Sequence, residues 1–326
     1  MCGCGAGHSA TRSTPTDRST TAVATAAPRS ASVRRALRAI VTAETQDGVD
    51  LIDLPSGSIV ERLIMPADPE NVAVGKRVAV VVSARSAKVT LLDRYTLRIL
   101  RIIGGFGSPH IPAIAPDGLH AYVTDDARGT LTAIDLRTLR ATSKIRVGAG
   151  AHHIAFSPDG RAAWVALGES ARTISILDTG DIARPRLVGQ FNPGFLAHDL
   201  MFSPAGDRVW VTSATGDAVS VFGARDRRLL FQVPVGAPPQ HLVFAGRFAL
   251  LTSGYGDTIE KALASTGAIV ARAGTPYGSF ELDAGHGVVV SSSLLRGTVA
   301  IYNSSLRLLH VVTIAPAARD VAISSP

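Results

Sequence analysis

The chain has only two cysteines and few aromatic residues. Cys2 and Cys4 both lie at its N-terminal end, so no disulfide can hold the rest of the chain together. Aromatic residues make up 5% of the 326 residues and charged residues 18%, whereas hydrophobic residues make up 46%. The core must therefore be built mainly from Val, Ile, Leu and Ala side chains.

Long apolar stretches and familiar catalytic motifs are also missing. No stretch reaches the roughly 18 consecutive apolar residues that a membrane span needs. No segment has the pattern of a long amphipathic helix. The chain has no G-x-S-x-G elbow, no P-loop and no G-x-G-x-x-G that opens a helix. These absences exclude a membrane-spanning helix and argue against the enzyme classes that carry those motifs.

A repeat organises the rest of the chain. Pro-Asp-Gly or Pro-Ala-Gly recurs with its glycine at Gly118, Gly160 and Gly206, and an aromatic residue follows four positions later each time. A period near 40 residues with tight-turn residues and short strands is typical of a β-propeller, in which one period forms one four-stranded blade.

A second landmark counts the blades, because an apolar alternating run ends at a turn position every 40 to 45 residues. The seven ends are Asp53, Asp93, Asp135, Asp178, Gly223, Leu263 and Asn303. Residues 319–325 read as a lone inner strand, and the first blade lacks one. We therefore predict an all-β, seven-bladed propeller over residues 39–326 that is closed by a C-terminal strand in blade one.

The segments 121–138 and 156–179, which contain AYVTDDARGT and FSPDGRAAWV, resemble the YVTN family of bacterial β-propeller repeats. That resemblance covers roughly residues 39–326. It implies the fold, but one fold hosts many functions.

The net charge of +7 does not predict a nucleic-acid partner. Residues 1–38 carry six arginines against the single acidic residue Asp17, so most of the excess lies in this segment. The basic residues elsewhere are scattered and form no stripe with aromatic residues. The Ser-, Thr-, Ala- and Pro-rich composition of residues 1–38 predicts a disordered tail.

One repeat position carries chemistry. The equivalent residues at the start of each inner strand are Glu70, His110, His152, His198, Gln240, Ser279 and Arg319. Ring symmetry places them at one mouth of the central channel. Three imidazoles and a carboxylate form a ligand set that Zn²⁺ accepts, and imidazoles also suit Cu and Ni. We therefore predict a metal site of Glu70, His110, His152 and His198, with Gln240 at its periphery.

The neighbours of this position have other expected roles. His153, Asp199 and His241 each follow a mouth residue, and alternation along a strand predicts that they point away, between blades. Asp68 is expected to accept a hydrogen bond from a ligating imidazole. Cys2, Cys4 and His8 form a second candidate metal group in the tail.

Two other functions fit the same residues. The histidines are equally explained as solvated channel lining in a propeller that serves only as an interaction scaffold. A lactonase-like hydrolase is the third alternative, because residues 151–161 loosely resemble a lactonase-type repeat. Glu70, His152 and Arg319 would then supply a general base and a cation. The sequence leaves open whether the protein is an enzyme.

The N-terminal segment bears on the compartment. A cysteine followed by Gly, Ser, Thr and Pro resembles the mature start of a bacterial lipoprotein, although the sequence as written shows no signal peptide. We expect an extracytoplasmic protein, in the periplasm or cell envelope, with a lipid anchor at Cys2. The alternative is a cytoplasmic protein with an ordinary tail.

Together these features resemble the periplasmic zinc metallochaperones of propeller fold. The resemblance implies a Zn²⁺ site at Glu70, His110, His152 and His198. It also implies a partner, the metal-binding protein of an ABC importer. The sequence departs from that pattern because it has no long His-rich loop. We expect a monomer.

Overall fold

The structure is a computed structural model, and it describes residues 36–325 apart from the side chain of Glu169. Its 28 strands form seven antiparallel four-stranded sheets. Each sheet is one blade, and the blades follow one another around a ring. The predicted seven-bladed propeller is confirmed.

The innermost strands border the central channel. From blade one to blade seven they are β28 (Ala318–Ser324), β4 (Pro69–Val74), β8 (Pro109–Ile114), β12 (Ile154–Phe156), β16 (Ala197–Phe202), β20 (Leu242–Ala245) and β24 (Ser279–Gly285). The second strands are β1 (Arg38–Ala43), β5 (Val78–Ser83), β9 (His120–Asp125), β13 (Ala162–Ala166), β17 (Arg208–Ser213), β21 (Phe248–Thr252) and β25 (Val288–Ser293).

The third strands end at the seven predicted landmark residues. They are β2 (Gly48–Asp53), β6 (Lys88–Asp93), β10 (Thr130–Asp135), β14 (Ile174–Asp178), β18 (Ala218–Gly223), β22 (Thr258–Leu263) and β26 (Thr298–Asn303). The outer strands are β3 (Ser58–Ile64), β7 (Ile99–Ile103), β11 (Arg140–Arg146), β15 (Arg186–Phe191), β19 (Leu229–Pro234), β23 (Ile269–Gly274) and β27 (Leu308–Thr313). Two 3-10 turns cover Glu44–Gln46 and Gly168–Ser170.

The ring closes where its ends meet. Strand β28 pairs antiparallel with β1, with Val321 opposite Val41 and Ser324 opposite Arg38. Blade one is thereby built from both ends of the propeller, which confirms the predicted closure. The exposed edges that an open ring would present are covered.

The core consists of seven apolar clusters, each between two neighbouring blades. Tyr122, Trp164 and Trp210, the aromatic residues of the repeat, are almost fully buried on second strands. Trp164 packs edge-on against Phe191 and Phe202. The recurring aromatic position therefore stabilises the packing of one blade against the next.

The tight turns of the repeat need glycine. Gly118 and Gly160 have φ of +66° and +71° in the hairpins between inner and second strands. This left-handed region is costly for a residue with a Cβ atom. The turns hold the inner strands at a fixed height in the channel, which positions the mouth residues. Within residues 36–325, no helix is long and apolar enough to cross a membrane.

Candidate metal centre at the channel mouth

The inner strands are irregular where they begin at the channel mouth. Pairing registers shift between Pro109 and Pro112 in β8 and between Ala197 and Leu200 in β16, which marks β-bulges. Just before β12, the N–H of His152 and the C=O of His153 both bond to Ala166. A bulge sets two successive residues against one partner and interrupts the alternation of side chains. His152 and His153 therefore both reach the mouth.

Five imidazoles gather there, from His110, His152, His153, His198 and His241. The rings of His110 and His152 stack with centroids 3.8 Å apart. Nε2 of His198 lies 3.2 Å from Nε2 of His241. In tetrahedral Zn²⁺ sites two ligating nitrogens stand about 3.3 Å apart, so this pair already has the spacing of two ligands.

The ring nitrogens form two groups that share one member. Those of His110, His152 and His153 lie within 4.8 Å of one another, and those of His153, His198 and His241 do as well. We call these the outer triad and the inner triad.

Four of the imidazoles have a carboxylate at Nδ1. The distances are 3.3 Å from His110 to Glu70, 3.7 Å from His152 to Asp126, 3.0 Å from His153 to Asp199 and 2.8 Å from His241 to Glu281. Metal-binding histidines characteristically direct their second nitrogen to such an acceptor, which fixes the tautomer and ring orientation. The four distances here are ion-pair distances and not hydrogen bonds, and in the described part of the chain Nδ1 of His241 is buried without a hydrogen-bond partner.

Burial lowers the pKa of four of the imidazoles, those of His110, His153, His198 and His241. Desolvation holds the pKa of His110, His153 and His198 well below 6.5, and neighbouring imidazoles lower it further. Desolvation also lowers the pKa of His241 to about 4, although Asp199 opposes the shift. Since only a neutral imidazole has a lone pair to offer, the cluster is ready to bind metal at neutral pH.

The carboxylates behind the imidazoles respond to the same burial. Desolvation raises the pKa of Glu281 well above its usual value, and the nearby Asp199 adds to the rise. Desolvation also raises the pKa of Asp199. Asp126 differs, because the His152 imidazole 3.7 Å away lowers its pKa. A bound cation would relieve the cost of ionising the buried carboxylates.

The predicted residues occupy related but different places. Glu70 faces His110 and also lies 3.7 Å from the Arg319 guanidinium. His110 and His152 belong to the outer triad, and His198 belongs to the inner triad. All four predicted residues therefore lie at the mouth. Among the described residues, however, the ring nitrogens of His110, His152 and His198 do not form one group within 4.8 Å.

The remaining predicted positions lie further out. Asp68 contacts the loop residues Asp47 and Arg85, and none of its contacts in the described part of the chain is with an imidazole. Gln240 is buried and donates to the carbonyls of Gly216 and Gly236. Cys2, Cys4 and His8 lie outside the described residues.

One expectation from side-chain alternation and one from the repeat alignment were wrong. His153 and His241 were expected to point between blades, but both belong to the cluster. In blade seven the mouth residue is Phe280 rather than Ser279. Ser279 pairs with Ser293 in the same way that Pro69 pairs with Ser83 in blade two. Since Pro69 comes one residue before the mouth residue Glu70, Ser279 comes one residue before the mouth residue of its own blade. The missed signal was a second periodic row, one residue further along each strand: His153, Asp199, His241, Glu281 and Asp320.

Below the mouth lies a cavity of about 310 Å³, lined by the inner strands of all seven blades. Its wall is apolar apart from His153 and four carboxylic residues. Three of these accept backbone N–H bonds that cross to the next blade: Asp199 from Leu242, Asp283 from Ile323 and Asp320 from Val72. They therefore tie the blades together, whereas Glu281, the fourth, faces His241.

Comparison with known proteins supports the fold. A family model described as the cytochrome D1 heme domain matches residues 73–186, which is about a third of the chain and covers blade three and most of blades two and four. No curated protein matches the chain. The resemblance to YVTN repeats stays a prediction.

Several solved structures share the architecture. A functionally unknown protein from Desulfotomaculum acetoxidans is 16% identical, with a TM-score of 0.78 over 89% of this chain and 99% of that chain. A putative 6-phosphogluconolactonase from Bacteroides fragilis is 14% identical, with a TM-score of 0.72 over 89% and 98%. A dihydro-heme d1 dehydrogenase is 15% identical, with a TM-score of 0.64 over 86% of this chain and 64% of that one. At these identities the likeness shows the fold alone.

Proposed function

We propose that this protein is a transition-metal-binding β-propeller that holds Zn²⁺ through histidine imidazoles at the channel mouth. The observation that carries the proposal is the pairing of four clustered imidazoles with carboxylates at Nδ1. A solvated channel lining has no need of this arrangement, whereas a metal site uses it to orient its ligands. All-imidazole ligation also suits Cu and Ni, so the metal analysis described below is needed to identify the metal that the protein binds.

A delivery role extends the proposal. The cluster lies at a mouth, and the side chain of His152 is 16% exposed, so an ion can be exchanged with a partner that covers this face. The expected partner is the metal-binding protein of an ABC importer, outside the cytoplasm. This part depends on the resemblance to zinc metallochaperones and on the exposed edge of the cluster.

Haem is a second candidate because of the family model that matches residues 73–186. Haem needs an axial ligand, which an imidazole can supply, and a slot for its macrocycle. The imidazoles are present, but His110 and His152 stack in direct contact and the other rings lie within 6 Å of them or of each other. The described mouth residues leave no slot between these rings, so they fit a bare ion and not a macrocycle.

The lactonase alternative has weaker support. Arg319 would have to present its guanidinium to a substrate, but it contacts Glu44 at 3.1 Å and Glu70 at 3.7 Å and lies over the Phe280 ring. Glu70 in turn faces His110. These side chains are engaged with each other, which favours a supporting role beside the imidazoles.

The test is metal analysis of untagged protein, followed by competition titration with a chelating dye. The full chain is expected to bind Zn²⁺ tightly, His198→Ala to bind it much more weakly, and His310→Ala to bind it normally. His310 lies on outer strand β27 and contacts Pro55, away from the mouth. Wild-type protein that binds Zn²⁺, Cu²⁺ and Ni²⁺ no better than the His198→Ala variant would return the protein to the scaffold class. A haem titration followed by absorbance is expected to show no stoichiometric binding.

A further inference from the structure

The two triads of the channel mouth share His153. We infer that one metal ion moves between two mutually exclusive positions, the outer triad and the inner triad, by exchange at His153. This inference rests on the proposed metal-binding function and adds to it a route for the ion.

Exposure orders the two positions. The exposed fraction of the side chain decreases from 16% for His152 and 11% for His110 to 6% for His153 and 1% for His241. The third inner ligand, His198, is about as exposed as His110 (8% and 9% of the whole residue), so the inner triad is deeper only at His153 and His241. An ion from solvent or a partner therefore meets His152 first and His241 last.

His153 can serve only one ion at a time. Its Nδ1 lies 3.0 Å from Asp199, which leaves Nε2 as the free nitrogen. A neutral imidazole has a single acceptor nitrogen and hence one lone pair for a metal. Two ions with three imidazoles each would need six imidazole lone pairs, but the two triads together contain five.

Asp199 holds His153 at this junction. Its carboxylate accepts the backbone N–H bonds of Leu200 at 2.7 Å and Leu242 at 3.1 Å, which fix it between blades five and six. The carboxylate that His153 contacts at 3.0 Å is therefore held in place, and the ring nitrogens of His153 lie within 4.8 Å of both groups. The shared ligand acts as a fixed pivot between the two positions.

The surroundings favour the inner position at equilibrium. Two carboxylates lie within 4 Å of its imidazoles, Asp199 and Glu281. At the outer triad, Glu70 is already paired with Arg319, and the Asp126 side chain is 40% exposed to water. A dication is attracted more strongly by the two buried carboxylates, because solvent screens them less.

The experiment combines stoichiometry, affinity and uptake rate for Zn²⁺ in the full-length chain. Every protein in this experiment carries Cys2→Ser, Cys4→Ser and His8→Ala, which remove the candidate tail group, and the otherwise wild-type protein is expected to bind one Zn²⁺ per chain. His152→Ala should retain most of the equilibrium affinity but take up Zn²⁺ more slowly in stopped-flow dye competition. His241→Ala should lose more than the roughly 100-fold that removal of a supporting residue costs, while its uptake stays fast. His153→Ala should show both defects, and His310→Ala neither.

Circular dichroism of each variant separates loss of the site from loss of the fold. Two Zn²⁺ ions bound at once by the wild type would overturn the inference and leave the proposed function intact. Equal effects of His152→Ala and His241→Ala on both affinity and rate would also overturn it, because they would indicate one undivided site. No Zn²⁺ binding by the wild type would contradict the proposed function itself.

Discussion

Zinc binding by this protein should persist in acid, unlike binding by solvated histidines. An imidazole with the ordinary pKa of about 6.5 is only about 3% neutral at pH 5. Protonation of one such ligand therefore lowers the apparent metal affinity about 30-fold, and protonation of three lowers it about 30,000-fold. His241, with its pKa lowered to about 4, stays about 90% neutral at pH 5. The pKa values of His110, His153 and His198 are also lowered by burial.

The direction in which Zn²⁺ affinity changes with pH follows from these pKa shifts. A lowered pKa means that protons compete with the metal at lower pH than they do for a solvated imidazole, so affinity declines less between pH 7 and pH 5. Protonation of Glu281, whose pKa is raised by burial, removes one supporting carboxylate as the pH falls. Such a residue costs about 10- to 100-fold, so we expect a total loss below about 100-fold between pH 7 and pH 5.

The assay is dye competition with Zn²⁺ at pH 7, 6 and 5, with circular dichroism at each pH to show that the ring stays folded. His310→Ala serves as the control variant. A loss of several thousand-fold by pH 5 in folded protein would refute the reasoning. It would show that the imidazoles titrate like solvated groups and that their burial does not govern the site.

Three further outcomes are expected. Glu281→Gln should weaken Zn²⁺ binding about 10- to 100-fold in the same titration, whereas Glu260→Gln, which removes a carboxylate paired with Arg272 outside the mouth, should change it little. Equal losses in both variants would count against an orienting role. Deletion of residues 318–326 should prevent cooperative folding, because it uncovers edges in blade one; unchanged thermal melting would contradict closure by β28. Trp164→Ala should lower the free energy of unfolding by about 3–5 kcal/mol in urea, since its ring is buried between blades four and five; a loss under about 1 kcal/mol would be inconsistent with that packing.

The fold was predictable because it follows from a period. The seven third strands end at residues such as Asp53 and Asn303, which turn chemistry marks in the sequence. Closure was also predictable, since a lone strand at one end and a missing strand at the other must pair. In blade seven the turn after the inner strand is Gly285-His286-Gly287, without the Pro-Asp-Gly landmark. The repeat alignment there was wrong by one residue, so that Ser279 was predicted at the mouth in place of Phe280.

The site was predictable only in part, because strict alternation fails at a bulge. His110, His152 and His198 occupy the same repeat position and were predicted together. The histidines beside them in the structure, His153 and His241, come from the next position along the strand. No sequence rule located the bulges, which depend on how each inner strand pairs. Asp126 was missed for another reason: it follows β9 in a loop, and only the folded ring brings it to His152.

The closing strand β28 is the last part of the mouth to be synthesised. Arg319 and Asp320 lie on β28, so a ribosome makes them after every imidazole of the cluster. Arg319 contacts Glu70, the partner of His110, and Asp320 bonds to the backbone of blade two. A nascent chain therefore carries all five histidines while the ring is still open and its mouth is incomplete. Ring closure therefore completes the mouth only after all five histidines have been made.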